Sequence, residues 1–124
     1  MYEVVFYEDK NGNSEIGDYF EKISQSKQSK QKQDKAIYLK MLHQIKMLQA
    51  LGPVLHTPQA KKLKGYRHQL WELRPMPERV FYGVWKKNNF VLLNHYAKKK
   101  DETDPRQIER ALSLLDDWYE RKGK

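Results

Sequence analysis

The stretch from Leu70 to Lys100, LWELRPMPERVFYGVWKKNNFVLLNHYAKKK, constrains the fold of this chain more than any other. Its runs of β-branched and aromatic residues are broken by PMPE and KKNN, the pattern of a three-strand antiparallel meander. With PMPE as a four-residue hairpin loop, Arg74 and Arg79 become directly opposite partners on one face. With Asn88-Asn89 as a two-residue turn, Lys98 falls opposite Arg79 and Tyr96 opposite Phe81. Like charges opposite one another destabilise a sheet by up to about 1 kcal/mol per pair. Three cations side by side therefore anticipate an anion between them. Strand parity puts Trp71, Leu73, Val80, Tyr82 and Val84 on the other face, as core.

The distribution of charge points the same way. The net charge is +8, yet residues 1–60 contribute only +1 and residues 101–124 contribute −2. Residues 61–100 hold eleven Lys and Arg against two acids, so the whole excess sits on the meander and its lead-in. Such a footprint fits nucleic acid, an anionic membrane or an acidic protein partner. The aromatics interleaved with it favour RNA, with phosphates meeting arginine forks and bases stacking on rings such as Phe81 and Tyr96.

At 124 residues the chain is read as a single domain, residues 1–124, with one core. It contains no cysteine, which removes disulfides, thiolate zinc sites and a thiol nucleophile. No 18-residue apolar run is present, and MYEVVFYEDK lacks the pattern of a secretion signal, so a cytoplasmic location is expected.

The remaining elements are read from spacing and caps. Tyr2–Tyr7 reads as a strand closing the sheet. Ser14 is an N-cap for a helix carrying Ile16, Tyr19, Phe20 and Ile23 inward. Residues 24–34 are polar and of low complexity. A second helix runs from about Lys35, with Ile37, Met41, Ile45 and Leu48 inward, to Leu51, where Gly52-Pro53 stops it. Pro53–Gln69 is read as a long connection whose Lys61, Lys62, Lys64 and Arg67 can wrap a phosphate backbone. A closing helix starts at a Thr103 or Asp104 cap with Pro105 first, and buries Ile108, Ala111, Leu112, Leu115 and Trp118. The fold class is therefore α+β: a twisted antiparallel sheet packed by two N-terminal helices and one C-terminal helix, with the basic sheet face exposed.

RNA cleavage needs a base for the 2′-OH, stabilisation of a crowded phosphorane and an acid for the leaving 5′-oxygen. Arg74 and Arg79 suit the stabilising role, because a guanidinium fork matches phosphate oxygens bidentately. No carboxylate pair, HExxH or phosphate-cradling glycine loop is present, so no metal or cofactor is expected. Tyr96, Lys98, Lys99, His95 and His68 remain as proton carriers, and neighbouring cations would lower the pKa of a tyrosine or lysine among them. His95 alternates to the face away from Tyr96 and reads as structural.

Several short motifs in this order resemble the RelE superfamily of toxins. They are Leu63-x-Gly65, Leu70-Trp71-Glu72-Leu73-Arg74, Arg79-Val80-Phe81-Tyr82 and Val91 through Lys99, followed by Thr103-Asp104-Pro105 and Ile108-Glu109-Arg110-Ala111. The nearest branch is the HigB-like toxins, including the phage-derived Gp49-like group. The resemblance implies a RelE-like fold and a type II toxin: a metal-independent endoribonuclease acting on mRNA in the ribosomal A site. Its partner would be a cognate antitoxin, a HigA-like helix-turn-helix protein, in a heteromeric complex. By position, Arg79 resembles the strand arginine on the scissile phosphate, Arg74 the basic residue ending the preceding strand, and Lys98-Lys99 the basic pair after the next. Catalytic candidates are thus Arg74, Arg79, Tyr96, Lys98 and Lys99. RNA-binding candidates are Lys61, Lys62, Lys64, Arg67, Phe81 and Lys100. Replacing Arg79 by alanine is expected to relieve growth arrest with the fold intact. The alternatives are a non-catalytic module for RNA or an acidic partner, and a degenerate toxin serving as a scaffold.

Overall fold

The computed structural model describes residues 1–25, 32–99 and 103–124. Strand β1 (Glu3–Phe6) is followed by helices α1 (Glu15–Ser24) and α2 (Lys32–Leu51), then strands β2 (Ala60–Leu63), β3 (Leu70–Leu73), β4 (Glu78–Trp85) and β5 (Asn89–Ala97), and helix α3 (Pro105–Lys122). The sheet order is β1-β5-β4-β3-β2. The expected meander is present as β3, β4 and β5, and the fold is α+β. The sheet is not wholly antiparallel, because β1 returns beside β5 in parallel.

Local chemistry sets the helix ends. Ser14 caps α1, its Oγ accepting from the Gly17 amide at 2.9 Å. α2 stops at Gly52, whose φ of 56° is left-handed and whose added Cβ would lie 2.4 Å from the Tyr2 ring. Of the two candidates, Asp104 caps α3 by accepting from the Arg106 amide, with Pro105 first in the helix.

The exposed sheet face expected from the sequence does not exist over the middle of the sheet. α1 and α2 cover one face, where Ile16, Ile23, Ile37, Met41 and Leu48 meet Leu73, Val80, Tyr82, Phe90 and Leu92. α3 covers the other, where Ile108, Ala111, Leu112, Leu115 and Trp118 meet Leu70, Phe81, Val91 and Leu93. The central strands are apolar on both faces, and burying both requires helices on both sides. Gly83 permits the closest approach: a Cβ there would sit 2.8 Å from Leu115.

Two register expectations are corrected. The β4–β5 turn falls on Lys86–Asn88 rather than Asn88-Asn89, pairing Trp85 with Asn89. An irregularity between Phe81 and Tyr82 then leaves Leu93 unpaired, so that Arg79 faces Tyr96 rather than Lys98, and Phe81 faces Asn94 rather than Tyr96. The net slip is two residues, which changes partners but keeps the faces. The long connection also contains a strand: β2 pairs with β3, Ala60 facing Leu73 and Leu63 facing Leu70.

The far end of α3 is pinned to β1 by Asp117. This carboxylate accepts from Arg121 (Nη2 at 2.8 Å) and from the Tyr7 hydroxyl at 2.6 Å. The Arg121 bonds, aided by Tyr7, hold its pKa below the ordinary 3.8. A depressed folded pKa contributes stability that is complete above the unfolded value and is lost as pH falls through the folded one. The melting temperature of the wild type should thus fall more steeply from about pH 5 to about pH 2 than that of Asp117→Asn. Parallel pH profiles for the two proteins would exclude this contribution.

Candidate functional site

The polar groups of the sheet converge at the β3–β4 hairpin end, beyond the edge of α3's cover. Glu72 is 0% exposed there, on a rung with Phe81. Its Oε1 lies 3.5 Å from the Nε of both Arg74 and Arg79, and its Oε2 accepts from Thr103 Oγ1 at 3.3 Å. A carboxylate carried that deep is tolerable only when opposite charge surrounds it. One carboxylate against two guanidiniums leaves one positive charge in excess.

The two arginines are not equivalent. Arg79 is 6% exposed, and its Nη1 donates to the Glu78 carbonyl at 3.1 Å. It braces the hairpin, so the expectation that Arg79→Ala spares the fold does not fit this structure. Arg74 is half-buried and reaches the surface, while its backbone is clamped from α2. Gln44 accepts from the Arg74 amide at 3.0 Å and donates to the Arg74 carbonyl at 2.9 Å, copying a strand's hydrogen bonds with a side chain. Gln44→Ala should lower stability by about 1–3 kcal/mol, two hydrogen bonds at about 0.5–1.5 kcal/mol each, because the Arg74 carbonyl and amide keep their Met76 and Gln59 partners. Denaturant unfolding indistinguishable from wild type would show that the clamp carries nothing.

Tyr96 faces Arg79 across the ladder, and its ring stacks on Phe81 with centroids 5.5 Å apart. Burial raises the pKa of its hydroxyl, and Glu72 adds to the rise against the opposing Arg79. The expectation that neighbouring cations would lower it is corrected: desolvation outweighs them, and Tyr96 stays a proton carrier at neutral pH.

A cleft of about 380 Å³ opens beside this ring, lined by Tyr96, Ala97, Lys99, Thr103, Asp104, Pro105 and Arg106. Thr103 also lines a second depression with Lys61, Lys62, Leu63, Lys64 and Tyr66, so the two run together past the start of α3. Tyr96 and Lys99 share the cleft wall, Lys61 and Lys64 line the adjoining depression, and Arg74 and Arg79 join them through Glu72, which also bonds Thr103.

Other expected residues stand elsewhere. Phe81 is fully buried under α3 and offers no ring to a base, a correction that follows from the covered face. Arg67 is an ion-pair partner of Asp116 (2.6 Å) and Glu109 (3.2 Å) on α3, so it anchors the loop rather than presenting a free cation. Lys62, although it lines the second depression, carries its ammonium 5.5 Å from the Trp71 ring centroid. Lys98 lies past the last rung, its amide bonded to the Pro77 carbonyl. Lys100 lies outside the described residues. His68 bonds Asp116, away from the cleft. His95 lies on the opposite face from Tyr96, stacked on Tyr19 at 3.7 Å and bonded to Glu78 at 2.8 Å.

The residues that sequence reasoning missed left faint signals. Gln44 is the one buried polar residue in the apolar stripe Ile37, Met41, Leu48. Glu72 shares strand parity with Arg74, which makes it a counter-ion in advance of any coordinates. Among the described residues, no three His, Cys, Asp or Glu are grouped to hold a metal ion.

Residues 18–116 match the family described as phage-derived protein Gp49-like (DUF891). The chain belongs to this family. The Gp49-like family is a family of RelE-like toxins. Among solved structures, the chain is similar to one in the archaeal RelE–RelB complex from Pyrococcus horikoshii OT3. The identity is 22%, the TM-score is 0.52, and the match covers 80% of this chain and 97% of that one. That likeness establishes a RelE-like fold for this Gp49-like protein. Comparison with curated proteins returns no match.

Proposed function

We propose that this Gp49-like protein is the toxin of a type II toxin–antitoxin system, cleaving mRNA on the ribosome until a cognate antitoxin neutralises it. The observation that carries the proposal is Arg74: Gln44 holds its backbone, and its incompletely neutralised guanidinium shares Glu72 with Thr103 on the cleft wall. A 2′-hydroxyl, giving up its proton to solvent water, attacks the neighbouring phosphorus, forms a 2′,3′-cyclic phosphate and expels the 5′-oxygen. Arg74 would stabilise the charge gathering on the phosphorane oxygens, with Arg79 behind it fixing Glu72. Tyr96, kept protonated by burial, would donate its proton to the departing 5′-oxygen. Lys99, Lys61 and Lys64 would hold flanking phosphates, and Lys98 would add positive potential. No step calls on a metal. The antitoxin is proposed to be a HigA-like helix-turn-helix protein, and the site of action the cytoplasm.

The test is induced expression of the full chain without its antitoxin, with growth followed and the ends of translated transcripts mapped by primer extension. Arrest with new 5′ ends inside reading frames supports the proposal. Normal growth with intact translated transcripts defeats it.

One observation favours a second reading, a module that binds RNA or an acidic partner without cutting: Glu72 already offsets much of the charge of Arg74 and Arg79. It predicts salt-sensitive RNA binding with no cleaved product.

A further inference from the structure

About 20 Å along β4 from Arg79, at six residues' rise, the sheet ends in a second group of cations. The β4–β5 turn places Lys86 at φ 49° and Lys87 at φ 65°, consecutive left-handed conformations that a β-carbon disfavours. Asn88, a residue better suited to that region, stands one position later and does not take either place. The Lys86 amide donates to the Lys124 carbonyl, which brings the end of α3 against the turn.

Four lysines gather there, each set over or beside an aromatic ring or at the turn itself. Lys86 lies 5.1 Å from the Trp85 centroid, Lys122 5.4 Å from Trp118 and Lys124 5.6 Å from Tyr119. Arg121 is engaged by Asp117, but among the described residues Lys86, Lys87, Lys122 and Lys124 have no carboxylate at ion-pair distance. Glu3, whose amide bonds the Asn88 carbonyl at the turn, and Glu120, two residues before Lys122, pair with none of them. Lys122 has a local reason to be there, the negative end of a helix. Lys86 and Lys87 have none: their backbone would be better served by glycine or asparagine.

We infer that this patch is a second RNA contact, gripping phosphate backbone without regard to sequence while the cleft addresses the strand to be cut. The rings already carry lysine ammoniums, so they are not free to stack bases, which leaves phosphate as the matching chemistry. A protein partner or a membrane would need apolar anchors. None of the large exposed apolar residues lies in segments 85–88 or 121–124. The identity of the polymer rests on the toxin proposal; the anion-gripping geometry does not.

The test uses the full chain, a labelled 20-base-pair RNA duplex and a salt series. K86G/K87G removes two charges with the residue the turn prefers, so its melting temperature should hold or rise. It should nevertheless bind the duplex about five- to tenfold more weakly, and adding K122A and K124A should flatten the slope of log affinity against log salt by about 2 to 4. Wild-type affinity and slope in the quadruple variant overturn the inference, as does an equal loss in the control K35A/K46A on α2. So does equal binding of the wild type to polyglutamate or phosphatidylglycerol vesicles at the same salt. Transcript cleavage in cells is read separately: its absence together with patch-dependent duplex binding defeats the toxin proposal and leaves this one standing.

Discussion

Replacing Glu72 by alanine is expected to lower the free energy of unfolding by about 3–5 kcal/mol, the usual cost of removing one partner from a buried ion pair. The size follows from what is left behind. Arg79 stays buried with only backbone carbonyls for company, and Arg74 loses the same counter-charge. Two guanidiniums then repel one another in a poorly hydrated corner, and the Thr103 hydroxyl loses its acceptor. For a domain of this size that is a large share of the whole stability. Glu72→Gln keeps the shape and an acceptor oxygen but not the charge, so it should fall between wild type and alanine. Urea unfolding of the three proteins measures the series. A loss below about 1 kcal/mol for alanine would mean that water already reaches the pair.

The features legible in the sequence were those carried by local pattern. The helix starts at Ser14 and at Thr103 or Asp104, the stop at Gly52-Pro53 and the stripe from Ile108 to Trp118 follow from capping chemistry and a 3.6-residue period. Strand parity put Trp71 and Tyr82 on one face and Arg79 and Tyr96 on the other, and that division survives the register slip. The need for α3 to cover the second face also lies in local pattern, since Phe81, Val91 and Leu93 share that face with Arg79.

Other features depended on contacts that no local pattern encodes. β2 has only Ala60 and Leu63 as apolar residues, three apart rather than two, so it does not alternate as a strand should. The turn misled because two lysines take conformations that their own chemistry opposes. Tyr96 misled because counting nearby cations ignores the cost of burying a phenolate, which dominates here. Gln44 serves Arg74 from thirty residues away, a relation that only the folded chain displays.

Arg74→Ala is expected to reduce RNA cleavage by about 10²–10³-fold, the range found when one preorganised charge-stabilising donor is removed. The fold should survive it. The Gln44 clamp and the Gln59 carbonyl hold the backbone of residue 74 whatever its side chain, and Glu72 keeps Arg79 as its counter-ion. Arg79→Ala should behave in the opposite manner, with lost stability leading and any lost activity following from it. Arg74→Lys separates charge from shape: an ammonium restores the field but not the planar fork, so its activity should lie between those of alanine and wild type. Growth on induction, primer extension and a thermal melt for each variant give a pattern that the alternatives do not share. If Arg74→Ala arrests growth as fully as the wild type while melting at the same temperature, the guanidinium does not meet the scissile phosphate. The chemistry must then be sought in the cleft itself, beginning with Lys99 and Arg106, the cations on its walls.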